Sequence, residues 1–213
     1  MGGTVRRGTC RMSVPLTDNS GASIISAWVI EPLTATQIED TENVWLPYLL
    51  SAWQARLQSG TSASDLPEHK HWLWTRKARQ YLNKSGYRFF GLVAGGETQG
   101  LMLINTIYQC RLPVQRGQPL VFVDYIATAP WNLRTLTDTP KYRGVGKALV
   151  EAAMRFSLAS AMAGRIGLHA LPLAEPFYRD TCGMSDLGAD PNEYDLCYFE
   201  TTEAQTDAFL QAR

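Results

Sequence analysis

The sequence has few cysteines and no long hydrophobic run. Its four cysteines lie far apart, without a CxxC pair: Cys10, Cys110, Cys182 and Cys197. Because small secreted domains pair much denser cysteines in disulfides, we expect reduced thiols and a cytoplasmic protein. No stretch approaches the roughly 18 apolar residues of a membrane-spanning helix, so we expect no membrane partner. Arg6 and Arg7 are not followed by an apolar segment, so neither a secretory nor a twin-arginine signal is expected.

The chain also lacks an excess of either charge. Twenty Lys and Arg residues balance twenty Asp and Glu residues, and the formal net charge is +0. Proteins that bind nucleic acids or anionic membranes usually carry a basic excess, so we expect no nucleic-acid partner. Hydrophobic residues make up 45% of the sequence and charged residues 19%, which is typical of a folded globular protein.

Histidine is scarce, and no pattern of metal ligands is present. The chain has three histidines, two of which are His69 and His71. Residues two positions apart on a helix point to different faces, and no cysteine or carboxylate completes a ligand set. We therefore predict no metal site.

The domain prediction follows from composition. Residues 1–22 are rich in Gly, Ser, Thr and Asn, and we predict a mobile tail there. Residues 23–213 contain no internal repeat and no proline-rich linker, so we predict a single domain. A first strand is predicted over residues 26–34 because apolar and polar residues alternate there.

Two helices are predicted after this strand. Two capping boxes can start the first helix: Thr34 with Gln37, or Thr36 with Glu39. Pro47 predicts a break within that helix. Asp65 and Glu68 have the same capping spacing ahead of the second helix. Four tryptophans lie in this region, Trp45, Trp53, Trp72 and Trp74; most are expected in the core, and one or two facing an acceptor cleft.

Alternating sequence then predicts most of a sheet. YRFFGLVA and LMLINTIYQ are joined by the hairpin turn GGETQG, and a polar connection leads to LVFVDYIATAP. A strand, helix and strand over residues 120–171 predict a right-handed crossover between parallel neighbours. A short helix, a closing strand and a tail with helical potential complete the order. The fold class is therefore mixed α/β (α+β), with a largely antiparallel sheet, flanking helices and a central parallel crossover.

The stretch PKYRGVGKALVEAAMRF places Arg143, Gly144, Gly146 and Lys147 at the start of an apolar-striped helix. Backbone N–H groups at a helix N-terminus attract anions, and glycines let that backbone approach them closely. A phosphate-binding turn is one interpretation. A tight strand-to-helix turn with two solvated basic side chains is the other, and spacing alone leaves both open.

Two common phosphate-binding motifs do not fit this turn. A Walker P-loop would need glycine at position 141 and a hydroxyl at 148, where the chain has Lys141 and Ala148. A dinucleotide-binding GxGxxG would need a third glycine at Leu149. The turn therefore belongs to neither class.

KYRGVGKAL resembles the [QR]xxGx[GA] signature of the GNAT superfamily of acyl-CoA-dependent N-acyltransferases, with Lys141 where Gln or Arg is usual. AEPFYRDTCGM is similar to the AxxFYxxxGF block of the same superfamily. The resemblance covers residues 120–200, and the upstream order of elements agrees with it. It implies a GNAT-like fold, acetyl-CoA as cofactor and direct acetyl transfer to a primary amine of a small molecule or peptide. Dimers are frequent in the superfamily, so a homodimer is compatible with the resemblance.

The resemblance also implies where coenzyme A binds. In the superfamily the amides of the glycine turn bind its pyrophosphate, and the preceding strand lies alongside its pantetheine arm. A backbone N–H where that strand bulges or splays serves the oxyanion. The implied cofactor-binding residues are Ile126, Ala127 and Thr128 on the strand, and Lys141, Arg143, Gly144, Val145, Gly146, Lys147 and Ala148 at the turn.

Three side chains are candidates for chemistry. Tyr178 matches the tyrosine that often donates a proton to the departing thiolate in the superfamily; a core aromatic is the alternative. Asp124 interrupts an apolar strand and is the best carboxylate for deprotonating an amine, directly or through water, with a hydrogen-bonded strand residue as the alternative. His169 alternates away from its apolar neighbours, and a structural histidine is favoured over a cleft residue.

Two other functions fit the same sequence. Two features favour a CoA-binding module without turnover. Leu171 stands where the superfamily often has asparagine, and the turn after Tyr178 has four residues instead of three. An acyltransferase that acts on aminoacyl-tRNA is the second, although the zero net charge argues against it. The two early helices and residues 131–140 are expected to shape the acceptor site, and no motif identifies the acceptor or the acyl length.

Overall fold

The structure is a computed structural model, and it describes residues 10–62 and 67–212. Within these residues the strands are β1 (Cys10–Asp18), β2 (Ser23–Glu31), β3 (Tyr87–Ala94), β4 (Glu97–Asn105), β5 (Val121–Thr128), β6 (Tyr142–Arg143), β7 (Ile166–Ala170), β8 (Ser185–Asp190) and β9 (Leu196–Glu200). The α-helices are α1 (Ala35–Gln58), α2 (Trp74–Tyr81), α3 (Val145–Ala159) and α4 (Glu203–Gln211). The strands form one sheet in the order β6-β1-β2-β3-β4-β5-β7-β9-β8.

The sheet is antiparallel except between two strands at its centre. β5 and β7 run parallel, and α3 connects them. The other strand pairs in the described part of the chain are antiparallel. The predicted mixed α/β fold with a central parallel crossover is therefore confirmed.

Alternate residues of β4 face opposite layers of the fold. Met102 and Ile104 belong to the core cluster that α3 covers, whereas Leu101 and Leu103 belong to the cluster beneath α1 and α2. All four side chains are fully buried. Both faces of a central strand are hydrophobic when helices cover each side of the sheet.

α3 approaches the sheet most closely at a glycine. A Cβ at Gly100 would lie 2.8 Å from Leu149 Cδ1 and 3.0 Å from Val145 Cγ1, so a larger residue would push these α3 side chains away from the strand. Gly100 pairs with Thr128, the last residue of β5. The first turn of α3 is therefore held beside the end of β5.

The N-terminal segment corrects one prediction. Residues Cys10–Asp18 form β1, which pairs with β2 and β6, so the mobile tail predicted over 1–22 is wrong from residue 10 onward. Residues 1–9 lie outside the described residues. The polar composition hid the alternation of Val14 and Leu16, whose side chains are 1% and 2% exposed in the cluster beneath α3.

The helices differ from prediction in length. The capping box of Thr34 and Gln37 is confirmed at the start of α1, but Pro47 lies inside that helix without breaking it. The second helix is shorter than predicted, because residues Glu68–His71 form a separate 3-10 turn and α2 begins at Trp74. Asp65 lies outside the described residues. The polar strand β8 was not predicted, since SDLGAD has little β-propensity.

Across the described ranges, no helix has both the length and the hydrophobicity that crossing a membrane requires. The same residues hold no group of three or more His, Cys, Asp and Glu side chains arranged to bind a metal ion. Cys110, Cys182 and Cys197 are free thiols.

Candidate active site

β5 separates from β7 partway along its length. The two strands pair from Val121 to Val123, whereas β5 continues to Thr128 alongside β4. Ala129 donates its backbone N–H to Gln99 O, 2.8 Å away on the β4 side. Because successive N–H groups of a strand alternate in direction, those of Thr128 and Ile126 point into the gap between β5 and β7.

A β-bulge in β5 brings Asp124 to this gap. Leu103 pairs with Tyr125 and the next residue, Ile104, pairs with Val123, so Asp124 has no partner on β4. The extra residue turns Asp124 and Tyr125 toward the same face of the sheet. Tyr125 packs in the cluster beneath α1 and α2, and Asp124 lines a cavity of about 330 Å³, the central cavity below. The resemblance gave residues 126–128 as the segment that bulges or splays; the bulge itself lies at Asp124, two residues earlier.

The environment of Asp124 makes its carboxylate a stronger base than usual. Burial raises the pKa of Asp124 to about 6, although the Asn105 hydrogen bond and the Lys77 charge favour the ionised form. Asn105 Nδ2 donates to Asp124 Oδ2 at 2.6 Å. A carboxylate with this pKa is largely ionised at neutral pH and accepts a proton readily, as general-base catalysis requires.

The glycine turn presents free backbone donors at the start of α3. Gly144 has φ of 90°, a conformation that other residues adopt only with strain. The first helical hydrogen bond runs from Ala148 N–H to Gly144 O, 2.9 Å, and no side chain caps the helix. The N–H groups of Val145, Gly146 and Lys147 therefore have no acceptor within α3 and point outward with the positive end of the helix dipole.

A second cavity adjoins the central one at this turn. It is a groove of about 280 Å³, the turn groove below, and its lining includes Arg134 and Arg143. Thr128 and Gly146 line both the groove and the central cavity. Thr128 Oγ1 is buried and has no hydrogen-bond partner among the described residues, which is uncommon for a buried hydroxyl. The junction of the two cavities therefore offers a polar group that a ligand can satisfy.

Tyr178 lines the central cavity from the segment after β7. It lies in a short π-helical turn, Phe177–Thr181, and is 5% exposed. Burial raises the pKa of Tyr178, and the nearby Cys182 thiol adds to the effect, so the phenol keeps its proton at neutral pH. A Cβ at Gly146 would lie 3.3 Å from the Phe177 ring, so this glycine lets the turn pack directly on α3.

The comparisons with known proteins bear on the fold. No protein-family model matches the sequence, and no curated protein matches it. The structure is similar to PaiA N-acetyltransferase from Thermoplasma acidophilum in complex with coenzyme A, with a TM-score of 0.51 and 12% identity over 84% of this chain and 99% of that chain. The chain has the GNAT fold. An acetyltransferase from Thermus thermophilus gives a TM-score of 0.48 and 18% identity, over 80% of this chain and 93% of that one.

Seven of the implied cofactor-binding residues lie at the two cavities of this GNAT fold. Ile126 and Ala127 line the central cavity, Arg143, Gly144 and Val145 line the turn groove, and Thr128 and Gly146 line both. The strand segment and the glycine turn, predicted separately, are thus adjacent.

Three implied residues do not face the cavities with their side chains. Lys141 Nζ lies 2.6 Å from Glu97 Oε2, and Lys147 Nζ lies 5.3 Å from the centre of the Phe209 ring. Ala148 is buried in the core, and its N–H already bonds Gly144. Neither lysine lines either cavity. The positive side chains at the turn groove are those of Arg134 and Arg143, and Lys147 can contribute its backbone N–H.

His169 is held by a polar network behind the central cavity. Its Nε2 lies 2.9 Å from Asp190 Oδ2, and Arg111 binds the same carboxylate oxygen. The hydrogen bonds from Arg111 and His169 hold the pKa of Asp190 well below its usual value. The rings of Phe122 and Tyr198 flank the imidazole. His169 therefore combines the two interpretations: it lines the central cavity, and its ring is hydrogen-bonded as that of a structural histidine.

Three residues of the site were not singled out from the sequence as cleft residues, His69, Asn105 and Arg134, whereas Trp72 was among the tryptophans considered for a cleft. His69 and Trp72 line the central cavity, and burial lowers the pKa of His69 to about 4, with His71 adding to the effect, so its ring is neutral. Asn105 could have been found, since it is a polar residue that ends an apolar strand. Arg134 carries no sequence signal, because only the path of the loop before β6 brings it to the groove.

A small apolar pocket extends from the central cavity toward α1. It has a volume of about 30 Å³, and its walls include Trp45, Leu49 and Trp74. It shares His69 and Trp72, among others, with the central cavity. The two early helices thus border the site, as expected, and their tryptophans form part of its wall.

Proposed function

We propose that this protein is an N-acetyltransferase that transfers an acetyl group from acetyl-CoA directly to a primary amine of a small molecule or peptide. The observation that carries the proposal is the junction at Thr128 and Gly146, where the turn groove meets the central cavity. The groove offers donors for phosphate, and the cavity holds a base and an acid. The GNAT fold supports the proposal at the level of architecture.

The residues at the junction fit coenzyme A. The free N–H groups of α3 and the guanidinium groups of Arg134 and Arg143 would hold the pyrophosphate. The unpartnered hydroxyl of Thr128 would bond a polar group of the pantetheine arm. When bound, the cofactor supplies an acyl thioester.

Asp124 would act as the general base. An amine is nucleophilic only in its neutral form, so a group near the acceptor must take its proton. Asp124 lines the cavity at the bulge, and its pKa of about 6 keeps it ionised at neutral pH. The N–H groups of Ile126 and Thr128, which point into the gap, would donate to the acyl carbonyl oxygen as negative charge develops there.

Tyr178 would act as the general acid. Its phenol stays protonated because burial raises its pKa, and it faces the same cavity as Asp124. A thiolate leaving group needs a proton or a hydrogen-bond donor, and a phenol supplies either. The base and the acid lie on separate segments, β5 and the turn after β7, which diverge around the cavity.

The test begins with a thermal-shift titration with acetyl-CoA, beside free CoA, ATP and NAD. A ligand at a hundredfold excess over its Kd adds about 2.7 kcal/mol to the stability of a protein that binds it only when folded. Selective stabilisation by the CoA compounds, followed by thiol release with an amine panel, supports the proposal. The Gly146→Glu variant should lose the shift, because its side chain would start against the Phe177 ring at the junction of the two cavities and its charge would repel the phosphates.

Other results would favour the alternatives. Binding of acetyl-CoA without thiol release across the panel would indicate a CoA-binding module. Release only with aminoacyl-tRNA would indicate an acyltransferase of that class. No stabilisation by acetyl-CoA, in protein free of carried-over CoA, would refute the proposal and leave the glycine turn as a structural feature.

A further inference from the structure

Lys77 on α2 is a primary amine placed against aromatic rings beside the site. Its Nζ lies 3.2 Å from the centre of the Tyr125 ring and 4.9 Å from that of Trp72. In the described part of the chain, no carboxylate lies within ion-pair distance of this nitrogen. The ammonium is thus held by ring faces alone, which attract it without accepting its protons in hydrogen bonds.

The β5 bulge brings this amine close to the candidate base. Tyr125 directly follows Asp124, and the bulge turns both side chains to the face that α2 covers. The Lys77 charge influences Asp124, and the Asp124 charge influences Lys77. Trp72 lines both the central cavity and the surface pocket that contains Lys77. The Trp72 ring therefore borders both sites, and a lysine side chain has a flexible four-carbon stem with which to pass it.

The surroundings of Lys77 also favour its nucleophilic form. Burial lowers its pKa to about 8, and the neighbouring Arg76 charge adds to the effect. Lys84 is a matched comparison within the same chain, because its Nζ lies 4.8 Å from the centre of the Tyr81 ring while its side chain is exposed. Both lysines contact an aromatic ring, and the Asp124 charge acts on Lys77.

We propose that Lys77 is an acceptor for the protein's own acyl donor, so that the protein acylates itself at this lysine. This inference rests on the proposed function, which supplies the acyl thioester. The Nζ lone pair forms a C–N bond with the acyl carbon, and the C–S bond breaks with its electrons on sulfur. The proton lost by the amine goes to Asp124 and then to solvent, and the thiolate takes a proton from Tyr178, which solvent replaces.

Self-acylation would reduce activity toward other amines. An amide has no charge, and the Lys77 charge is one of the factors that keep Asp124 ionised. Once Lys77 is acylated, the pKa of Asp124 rises further, and a smaller fraction of the base is ionised at neutral pH. Turnover should therefore decline during preincubation with the acyl donor alone.

The experiment measures acetylation of the full chain by isotopically labelled acetyl-CoA at two protein concentrations, near pH 8, the approximate pKa of Lys77. Peptide mass spectrometry follows Lys77 and Lys84 over time. We expect Lys77 to be labelled at least about tenfold faster than Lys84, because burial lowers the pKa of Lys77 and Asp124 can take its proton beside the bound donor. A half-time independent of protein concentration is expected for a reaction within one chain.

Two controls separate self-acylation from chemical acetylation by the donor in solution. Excess free CoA should suppress labelling of Lys77 but not of Lys84, since it competes only for the bound donor. Gly146→Glu, shown to be folded by its thermal unfolding, should lower labelling of Lys77 to the rate that Lys77 shows with excess free CoA. Equal labelling of Lys77 with and without excess CoA, or a rate no faster than that of Lys84, would overturn the inference.

A Lys77→Arg variant connects the modification to activity. Arginine keeps the charge and the ring contacts but does not accept an acetyl group under these conditions. The variant should show no labelling at position 77, and its turnover of an added amine should not decline during preincubation with the acyl donor. Turnover of added amines by the unmodified chain without labelling of Lys77 refutes self-acylation and leaves the proposed function standing. Failure to bind acetyl-CoA refutes both.

Discussion

Replacing Asp124 by asparagine tests the central step of the proposed mechanism. Asparagine keeps the shape of the side chain, and its carbonyl oxygen can still accept the hydrogen bond from Asn105, 2.6 Å away in the unmodified protein. The variant loses only the ability to take a proton. Since a positioned general base contributes about 10²–10⁴ to a rate, we expect kcat to fall by that factor while the Kd of acetyl-CoA stays unchanged.

The same substitution should stabilise the folded protein at neutral pH. The pKa of Asp124 is raised from 3.8 to about 6, so its stabilising contribution is fully present below about pH 4 and is lost as pH rises through 6. Above pH 6 the folded state must ionise a buried carboxyl group, which the unfolded state does at no such cost. The difference amounts to at most about 3 kcal/mol, and the neutral asparagine removes it.

Two assays check these expectations. The pH dependence of kcat/KM should show an acidic limb near pH 6 in the unmodified protein and lose it in Asp124→Asn. Urea unfolding at pH 5 and pH 8 should show the free energy of unfolding of the variant rising relative to that of the unmodified protein as pH increases. Asp186→Asn is the control, because hydrogen bonds from Arg179 and Gly188 lower that pKa, so the substitution should destabilise at neutral pH without affecting kcat. A variant of Asp124 that kept full kcat at neutral pH would refute the assignment of the base.

Three further substitutions test the remaining parts of the site. Tyr178→Phe should lower kcat by about 10² or more without changing the Kd of acetyl-CoA, because the ring still fills its place and only the proton donor is lost. Stopped-flow detection of thiol release measures the change in kcat. Thr128→Val should stabilise the protein without ligand by about 1 kcal/mol, since it removes a buried hydroxyl that has no partner, yet weaken acetyl-CoA binding in calorimetry. Arg134→Gln should weaken acetyl-CoA binding by about tenfold and reduce the salt dependence of binding. Arg116→Gln, directly after the 3-10 turn Pro113–Gln115 and outside both cavities, should do neither. Equal effects of the two substitutions would contradict a phosphate contact at Arg134.

The parts of the site that the sequence predicted are those fixed by local geometry. Gly144 requires a left-handed conformation, and Gly146 must admit the Phe177 ring at 3.3 Å from its Cβ position. Both needs leave a glycine in the sequence, and the two glycines lie two residues apart at the start of α3. A continuous apolar run likewise predicted β5, because both faces of this strand are buried along its first half.

The parts that the sequence missed depend on register and on contacts between distant segments. The bulge at Asp124 exists only in the pairing of β5 with β4, and no residue in VFVDYIAT marks it. Lys141 was expected at the cofactor because of its position in the motif. Its ammonium group instead forms an ion pair with Glu97, which lies 44 residues away in sequence. β1 was missed because Val14 and Leu16 alternate within a polar segment. Their burial depends on pairing with β2 and on packing against α3, which the local sequence does not indicate.

Among the described residues, several polar groups with few partners lie together where β5 ends. Glu200 shows the contrast, because its carboxylate is completely buried and accepts hydrogen bonds from Arg111, Leu112, Gln115 and Tyr198. At the end of β5, Thr128 has a buried hydroxyl without a partner in the described part of the chain, Asp124 is buried with a raised pKa and one hydrogen bond from Asn105, and the first N–H groups of α3 have no helical acceptor. A chain that surrounds one structural carboxylate with donors but leaves these groups with few partners has the arrangement expected of a ligand site, because a bound anion and a bound amine would satisfy them together.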